Sequence, residues 1–309
     1  MRAVFMGSAP LSCPSLDVVL EMCDVVAVVT QPDRPRGRSL KVCESAVKAL
    51  ATKRVSAVHT PERINETAAV DALAALQPDV IVVVAYGQIL RQPLLDLPPL
   101  GCINVHTSLL PKYRGAAPIQ WAIANGESET GVTTMVMDAG MDTGDIILQR
   151  AVPIGPEETA ADLHDRLGAA GGDLLRTTLA GLPAGDLPRI PQDDEVATMA
   201  PRLAKADGRV VWSRPAREIH NRVRGFNPWP GSVCFTPGGK RLKLWHVAQA
   251  SIQAGGSPGA VVSFSEGQPV VATGQGGIRL LEVQPEGGKV MDGAAYVRGH
   301  ALALGDQLE

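Results

Sequence analysis

The chain has 309 residues, 45% apolar and only 4% aromatic, with a formal net charge of −3. That length supplies one large or two ordinary domains, and the apolar share excludes global disorder, with aliphatic packing carrying the core. No apolar run reaches membrane-spanning length, MRAVFMGSAP lacks a signal-peptide pattern, and five scattered cysteines without a C-x-x-C pair exclude a disulfide scaffold or zinc ribbon, so a reduced, cytoplasmic setting is expected.

In chain order, Arg2–Gly7 is a short apolar run ending at glycine, a strand and a turn. Ser15–Met22 starts like a helix, with Ser15 as a candidate cap. Asp24–Thr30 is continuous and β-branched, as in a strand buried on both faces. Gln31–Lys41 is a Pro/Gly/Arg loop, followed by the helical pattern ESAVKALATK. A helix around Glu62–Leu76 precedes a third strand, Asp79–Gly87. Gly101–His106 and Thr130–Met137 are the fourth and fifth strands. Strands alternating with helices predict an α/β fold with a doubly wound, mostly parallel sheet.

Leu163, Leu167, Ala170 and Leu174 then fall on one face of a helix, with Thr159 and Asp162 as an approximate capping pair and Gly171-Gly172 weakening the middle. From about Leu182 the chain turns Pro-rich and polar, a linker. Beyond Arg209 come short strand-like runs (RVVW, GSVCF, RLKLWHV, GAVVSF, PVVAT, GIRLLEVQP) with turns such as TPGGK between them. They predict a small all-β unit, most simply a barrel, interrupted by the helical SRPAREIHNRVRGF. Expected boundaries are 1–189, a linker at 190–208, and 209–309. Residues 202–309 hold 13 Lys/Arg against 8 Asp/Glu, and residues 1–201 hold 16 against 24. A basic C-terminal part suggests an anionic partner there; chance drift of surface charge explains it equally.

The stretch INVHTSLLPKYRGAAP (Ile103–Pro118) carries the chemistry. In a strand, Asn104 and His106 share a face, opposite Ile103 and Val105. An amide and an imidazole then sit at the C-terminal end of a strand, where open α/β sheets bind ligands. A satisfied core histidine beside a turn-forming asparagine is the plain alternative. MDAGMDTGD (Met137–Asp145) follows the next strand and offers Asp138, Asp142 and Asp145, either as tight-turn formers or as a carboxylate for the imidazole. Asn, His and Asp together can take a proton from an attacking amine and stabilise an oxyanion. No His pair stands at ligand spacing, so no metal is expected.

INVHTSLLPKYRGAAPI followed by GMDTGD closely resembles the folate-dependent formyltransferases, with the N-x-H strand, the S-L-L-P-x-x-R-G loop and the downstream Asp in order. The resemblance implies a Rossmann-like domain binding 10-formyltetrahydrofolate, with Asn104, His106 and Asp142 as the catalytic set. TQPDRPRGR (Thr30–Arg38), VVVAYGQIL (Val82–Leu90), FNPWPGS (Phe226–Ser232) and VRGHALALGDQL (Val297–Leu308) resemble the branch that formylates the α-amine of initiator methionyl-tRNA for translation initiation. That branch implies an OB-like C-terminal barrel contacting tRNA and a monomer working without a membrane. Ser108, Leu109, Leu110 and Pro111, with Tyr86, Gly87, Gln88, Ile89 and Leu90, are then the expected folate pocket; plain core packing is the other reading of Leu109 and Leu110. Arg34, Arg36, Arg38 and Lys41 are the expected tRNA contacts on the first domain. Lys205, Arg209, Arg222, Arg224, Lys240, Arg241 and Lys243 are those on the second. A solvated charged surface is the alternative for each group. Arg114 either lines the site or holds its loop through a carboxylate. Trp229 is a stacking platform or a hydrophobic plug. Two stretches depart from the family pattern, SAPLSCP after Gly7 and ESAVK after the basic loop. A formyltransferase acting on small amines or a folate-dependent hydrolase would keep the same trio. A degenerate α/β domain fused to an RNA-binding barrel would have lost it.

Overall fold

The computed structural model describes residues 1–36, 41–55, 57–251, 256–300 and 302–309. The strands are β1 (Arg2–Gly7), β2 (Asp24–Val29), β3 (Arg34–Arg36), β4 (Lys41–Cys43), β5 (Val58–His59), β6 (Val80–Val84), β7 (Cys102–His106), β8 (Glu129–Val136), β9 (Ile146–Pro153), β10 (Ser232–Phe235), β11 (Arg241–Ala250), β12 (Val261–Ser265), β13 (Gln268–Ala272), β14 (Gly277–Pro285) and β15 (Met291–Asp292). The helices are α1 (Cys13–Met22), α2 (Ala46–Ala51), α3 (Thr67–Ala74), α4 (Gln92–Leu95), α5 (Pro118–Ala124), α6 (Ala160–Gly181), α7 (Ala216–Gly225) and α8 (Gly293–His300). The chain forms two compact units. One comprises Met1–Pro118, Glu129–Pro153 and His164–Ala200; the other comprises Ile119–Ser128, Ile154–Leu163 and Pro201–Glu309.

The first unit is built on a sheet of order β5-β2-β1-β6-β7-β8-β9. The pairs from β5 through β7 are parallel. β8 and β9 run antiparallel at one edge, β9 returning as a hairpin arm across the Asp138–Asp145 loop. The Rossmann-like, mostly parallel sheet expected from the sequence is therefore present. The central strands explain themselves: Val80–Val84 is all β-branched, and every residue of it is buried. Burying each such side chain contributes about 1.5–3 kcal/mol before entropy is charged against it. Helix α6 runs unbroken through Gly171-Gly172. A Cβ at Gly171 would stand 3.0 Å from Val105 Cγ1, and one at Gly172 3.2 Å from the Pro14 backbone. Close packing, rather than a helix break, explains the pair.

The departures from the family pattern have a local solution. After Gly7 a 3-10 turn (Pro10–Ser12) leads into α1. Ser8 Oγ donates to the Tyr86 carbonyl at 3.0 Å and accepts from Thr30 Oγ1 and the Gln31 N–H. Ser45 caps α2 by accepting the Lys48 N–H at 2.9 Å. The basic loop is in part a two-stranded hairpin, with Arg34 opposite Cys43 and Arg36 opposite Lys41.

The second unit carries the sheet β10-β11-β14-β13-β12, with β15 on β14. The C-terminal residues close it. Glu309 exchanges both backbone hydrogen bonds with Phe235 of β10, while Leu308 and Gly259, and Asp306 and Val261, are bonded at the start of β12. That closure removes the open sheet edges, as a barrel requires. Its interior holds Trp212, Leu242, Leu244, Ile278, Leu280, Val283 and Leu308. RVVW is not a strand; it makes one isolated bridge, Arg209 to Val233. The Thr159–Asp162 cap is reciprocal: Thr159 N–H donates to Asp162 Oδ2 at 3.1 Å, and Asp162 N–H to Thr159 Oγ1 at 3.3 Å.

No helix among the described residues is long and apolar enough to cross a membrane.

Candidate active site

Beyond the C-terminal ends of β6 and β7 lies a cavity of about 490 Å³. Its apolar lining includes Val83, Tyr86, Ile89, Met137 and Met141, and its polar groups include Gln88, Asn104, His106 and Asp142. The strand period places Asn104 and His106 on one face, as the sequence predicts. Both side chains are buried, at 9% and 6% exposure.

Asp142 joins them. Asn104 Nδ2 donates to Asp142 Oδ1 at 3.2 Å, and the Gly115 N–H donates to Asp142 Oδ2 at 2.9 Å. His106 Nδ1 faces Asp142 Oδ2 at 3.6 Å, too long for a hydrogen bond but close enough for direct charge interaction. His106 Nε2 lies 2.9 Å from the Tyr113 carbonyl. A carbonyl only accepts, so that contact puts the neutral ring's proton on Nε2 and leaves the Nδ1 lone pair for a proton. Asp138 and Asp145 have no place in this trio; Asp138 accepts both from Thr143 Oγ1 and from the Gly140 N–H, and so shapes the loop.

The wall at residues 86–91 is clamped. Gln88 Oε1 accepts the Ile64 N–H, its Nε2 donates to the Pro61 and Glu62 carbonyls, and Asn65 bonds Ile89 O and Arg91 N. Tyr86, Gly87, Gln88 and Ile89 all line the cavity. Tyr86 is buried, its hydroxyl has no hydrogen-bond partner, and burial pushes it up to about 12. Leu90 lies instead in the core with Leu94 and Cys102.

Ser108, Leu109, Leu110 and Pro111 do not line this cavity either. Ser108 Oγ donates to Lys112 O at 2.6 Å, Leu110 packs with Met135 and Ile146, and Pro111 O accepts the Thr198 N–H. Leu109 fills the space beside Gly131. The loop reaches the site through its later residues, Tyr113 and Gly115. Gly115 has φ of 117°, and a Cβ there would stand 2.8 Å from the Ala200 carbonyl, so only glycine presents this N–H to Asp142. Arg114 is buried, pairs with Asp194 at 2.8 Å and donates from Nε to Gln192 Oε1 at 2.9 Å. It holds its loop through a carboxylate.

Residues 190–200, expected within the linker, belong to the first unit. Ile190 bridges to Ile146, Thr198 O accepts the Arg114 N–H, and Ala200 N–H donates to Arg114 O. Neither Gln192 nor the two backbone groups of the Tyr113–Gly115 turn belongs to the expected set. Only the Arg-Gly pair hinted at a special turn.

The basic residues divide. Arg34 is exposed beside Glu62 at 3.5 Å. Arg36 and Lys41 are described by backbone alone, and Arg38 lies outside the described residues. Lys205, Arg209, Lys240 and Arg241 are exposed, Arg209 over the Phe235 ring. Arg224 is not available to a partner: it is buried, its Nε and Nη2 donate to Asn221 Oδ1, and its Nη1 to the carbonyls of Gly155 and Glu158. Arg222 is half-buried over the Phe226 and Trp121 rings and donates to Asp207 O. Lys243 lies 3.7 Å from the Trp245 ring centroid and donates to Pro228 O, and burial pulls its ammonium down. Trp229 keeps 52% of its surface exposed. No cluster of three or more His, Cys, Asp or Glu placed to hold a metal ion occurs among the described residues.

A Formyl transferase family profile matches residues 15–179, and a Formyl transferase, C-terminal domain profile matches residues 202–301. The chain belongs to the formyl transferase family. It is 47% identical, over 99% of its length and 96% of the relative's, to the methionyl-tRNA formyltransferase of Trichlorobacter lovleyi. It is 48% identical, over 100% of its length and 96% of the relative's, to that of Geobacter sulfurreducens. The fold is shared with a sugar 3N-formyl transferase, WlaRD, solved in the presence of dTDP and 5-N-formyl-THF (TM-score 0.68, 20% identity, 92% of this chain and 97% of that one). It is also shared with HypX of Aquifex aeolicus (TM-score 0.62, 18% identity, 96% of this chain), of whose length the chain spans 48%.

Proposed function

We propose that the chain formylates the α-amine of methionine carried by initiator tRNA, with 10-formyltetrahydrofolate as donor and Asn104, His106 and Asp142 as the catalytic set. The observation that carries the reading is the convergence of those three side chains in one cavity at the parallel strand ends. Full-length relatives at 47–48% identity named methionyl-tRNA formyltransferase supply the reaction and the acceptor. The family supplies the formyl group, and the folate-containing neighbours support a folate donor. The cavity fits one: an apolar wall of Val83, Tyr86, Ile89 and Met137 can hold a flat ring system, and convergent polar groups can orient it. Bound there, the donor supplies an activated carbonyl carbon.

The chain's residues do the rest. Asn104 commits one amide proton to Asp142, which leaves the other to donate where negative charge develops. His106 accepts the amine's proton at Nδ1, because Nε2 is committed to Tyr113. Asp142 faces that nitrogen and favours the charged ring as it forms, and the ring can then return the proton to the nitrogen of the departing tetrahydrofolate as its bond to the formyl carbon breaks. A preorganised donor of this kind is typically worth about 3–4 kcal/mol of barrier. Of the expected set, exposed Lys205, Arg209, Lys240, Arg241 and Arg34 are open to tRNA phosphates. All three catalytic side chains come from one chain, which suits a monomer, and an initiator-tRNA acceptor supports a cytoplasmic reaction.

The test is formyl transfer from 10-formyltetrahydrofolate to initiator methionyl-tRNA, elongator methionyl-tRNA and free small amines. Rapid formylation confined to the initiator species is expected. Folate turnover that ignores tRNA would transfer the same site to a small amine or to water.

A further inference from the structure

Gln192 lies between the two family-matched segments, in a stretch whose sequence reads as linker. We propose that Gln192, held by Arg114, is the positioning residue that fixes Asp142 against Asn104 and His106. The proposal rests on the catalytic reading of Asp142 given above.

The geometry uses every polar atom of the Gln192 amide. Nε2 donates to the carbonyls of Asp142 and Gly144, both at 2.8 Å. Oε1 accepts from Arg114 Nε at 2.9 Å. Arg114 is itself 6% exposed, paired with Asp194, and bonded through its backbone to Thr198 and Ala200. The next residue, Gly115, donates its N–H to the Asp142 carboxylate. Asp142 is therefore gripped twice, by its main chain through Gln192 and by its side chain through Gly115.

That grip has something to hold. Asp142 has φ of 54°, a left-handed conformation that a residue with a Cβ keeps only where its surroundings impose it. Its neighbour Met141 is 55% exposed, so little packing on that side restrains the loop. If the two carbonyl contacts were lost, the backbone would be free to leave that conformation and swing the carboxylate away from His106 Nδ1. Chemistry also dictates an amide at position 192. Its nitrogen must donate twice, and its oxygen must face a cation. A carboxylate keeps the second contact and turns the first into repulsion between oxygens.

A bond network that merely stabilised the fold would behave differently in one respect. Its loss would slow the enzyme by the same factor whether or not Asp142 were present. The experiment is single-turnover formyl transfer to initiator methionyl-tRNA by the full-length wild type, Gln192→Glu, Gln192→Ala, Asp142→Ala and the two Gln192/Asp142 double variants, with steady-state KM for both substrates. Each Gln192 variant is expected to cut kcat about 10- to 100-fold with KM within about threefold, since misplacement by an ångström is worth that much. In the Asp142→Ala background the same change should cost no more than about twofold, because coupled residues are not additive. Equal factors in both backgrounds, a loss confined to KM, or an unchanged kcat would overturn the proposal. Gln192→Glu, which keeps the shape and the Arg114 contact, decides the matter should Gln192→Ala not fold. A near-normal Asp142→Ala enzyme would instead remove the catalytic reading of Asp142 itself.

Discussion

The α/β unit and the barrel unit use their polar residues in opposite ways. In the first, Asn104 and His106 are buried and Asp142 is half-buried, yet they keep a spare amide proton, an open Nδ1 and a carboxylate edge facing it. In the second, Arg224 sits deep, with four of its five N–H donors bonded to Asn221, Gly155 and Glu158, and Arg222 and Lys243 lie over aromatic rings while bonding backbone carbonyls. Burial alone therefore does not separate a working residue from a structural one. What separates these residues is what they face: Asn104, His106 and Asp142 line a cavity, whereas Arg224 is turned to internal oxygens.

The largest effects should come from the first unit. Asn104→Ala, His106→Ala and Asp142→Ala are each expected to cut turnover by roughly 100-fold or more, read as formyl-methionyl-tRNA formed per unit time. In the second unit the contrast should appear within one class of substitution. Lys240→Ala and Arg241→Ala should each weaken tRNA binding and lower the slope of log affinity against log salt by about one. Arg224→Ala should leave that slope alone and instead lower the thermal midpoint, since each buried acceptor stranded by the change costs about 1–3 kcal/mol. A salt slope that moves with Arg224 would erase the contrast.

The smallest expected effect is at the α6 cap. Thr159 donates to the Asp162 carboxylate from its side chain and its backbone, which holds that carboxyl below the ordinary value of 3.8. A lowered folded-state value means that the stabilisation is present above 3.8 and is lost as pH falls through the lower folded value. Asp162→Asn is expected to cost about 0.5–1 kcal/mol at neutral pH. Denaturant titrations of the two proteins should converge in acid. A gap that widens in acid would assign the effect to something other than this carboxylate.

The sequence shows the fold and the Asn104/His106 pair for the same reason: both depend on short, regular periods, whereas the choice of Asp142 over Asp138 and Asp145 comes from the family resemblance. Two-residue alternation places Asn104 and His106 on one face, and the unbroken Val80–Val84 run announces a central strand. The rest of the site depends on contacts between distant segments. The family resemblance makes S-L-L-P a pocket wall, but Leu110 packs with Met135 and Ile146, the core-packing alternative. Gln192 sits among prolines and aspartates that resemble any linker, and long-range contacts such as the Ile190–Ile146 bridge and the bonds around Arg114 bring it to Asp142. Charge on α7 misleads similarly: Arg222 and Arg224 add to a basic count, while one lies over rings and the other inside the protein. β9 carries no clear strand signal in the sequence because its middle, Leu148–Ala151, is half-exposed to exposed and carries Gln149 and Arg150, which blurs the alternation.

The most direct test of the central claim separates binding from chemistry in His106→Ala. Affinity for initiator methionyl-tRNA and the single-turnover formylation rate at saturating 10-formyltetrahydrofolate would be measured on the same preparation. The proposed role predicts affinity within about threefold of wild type and a rate lower by about 100-fold or more. A rate close to wild type, or a loss that appears only in affinity, would contradict it.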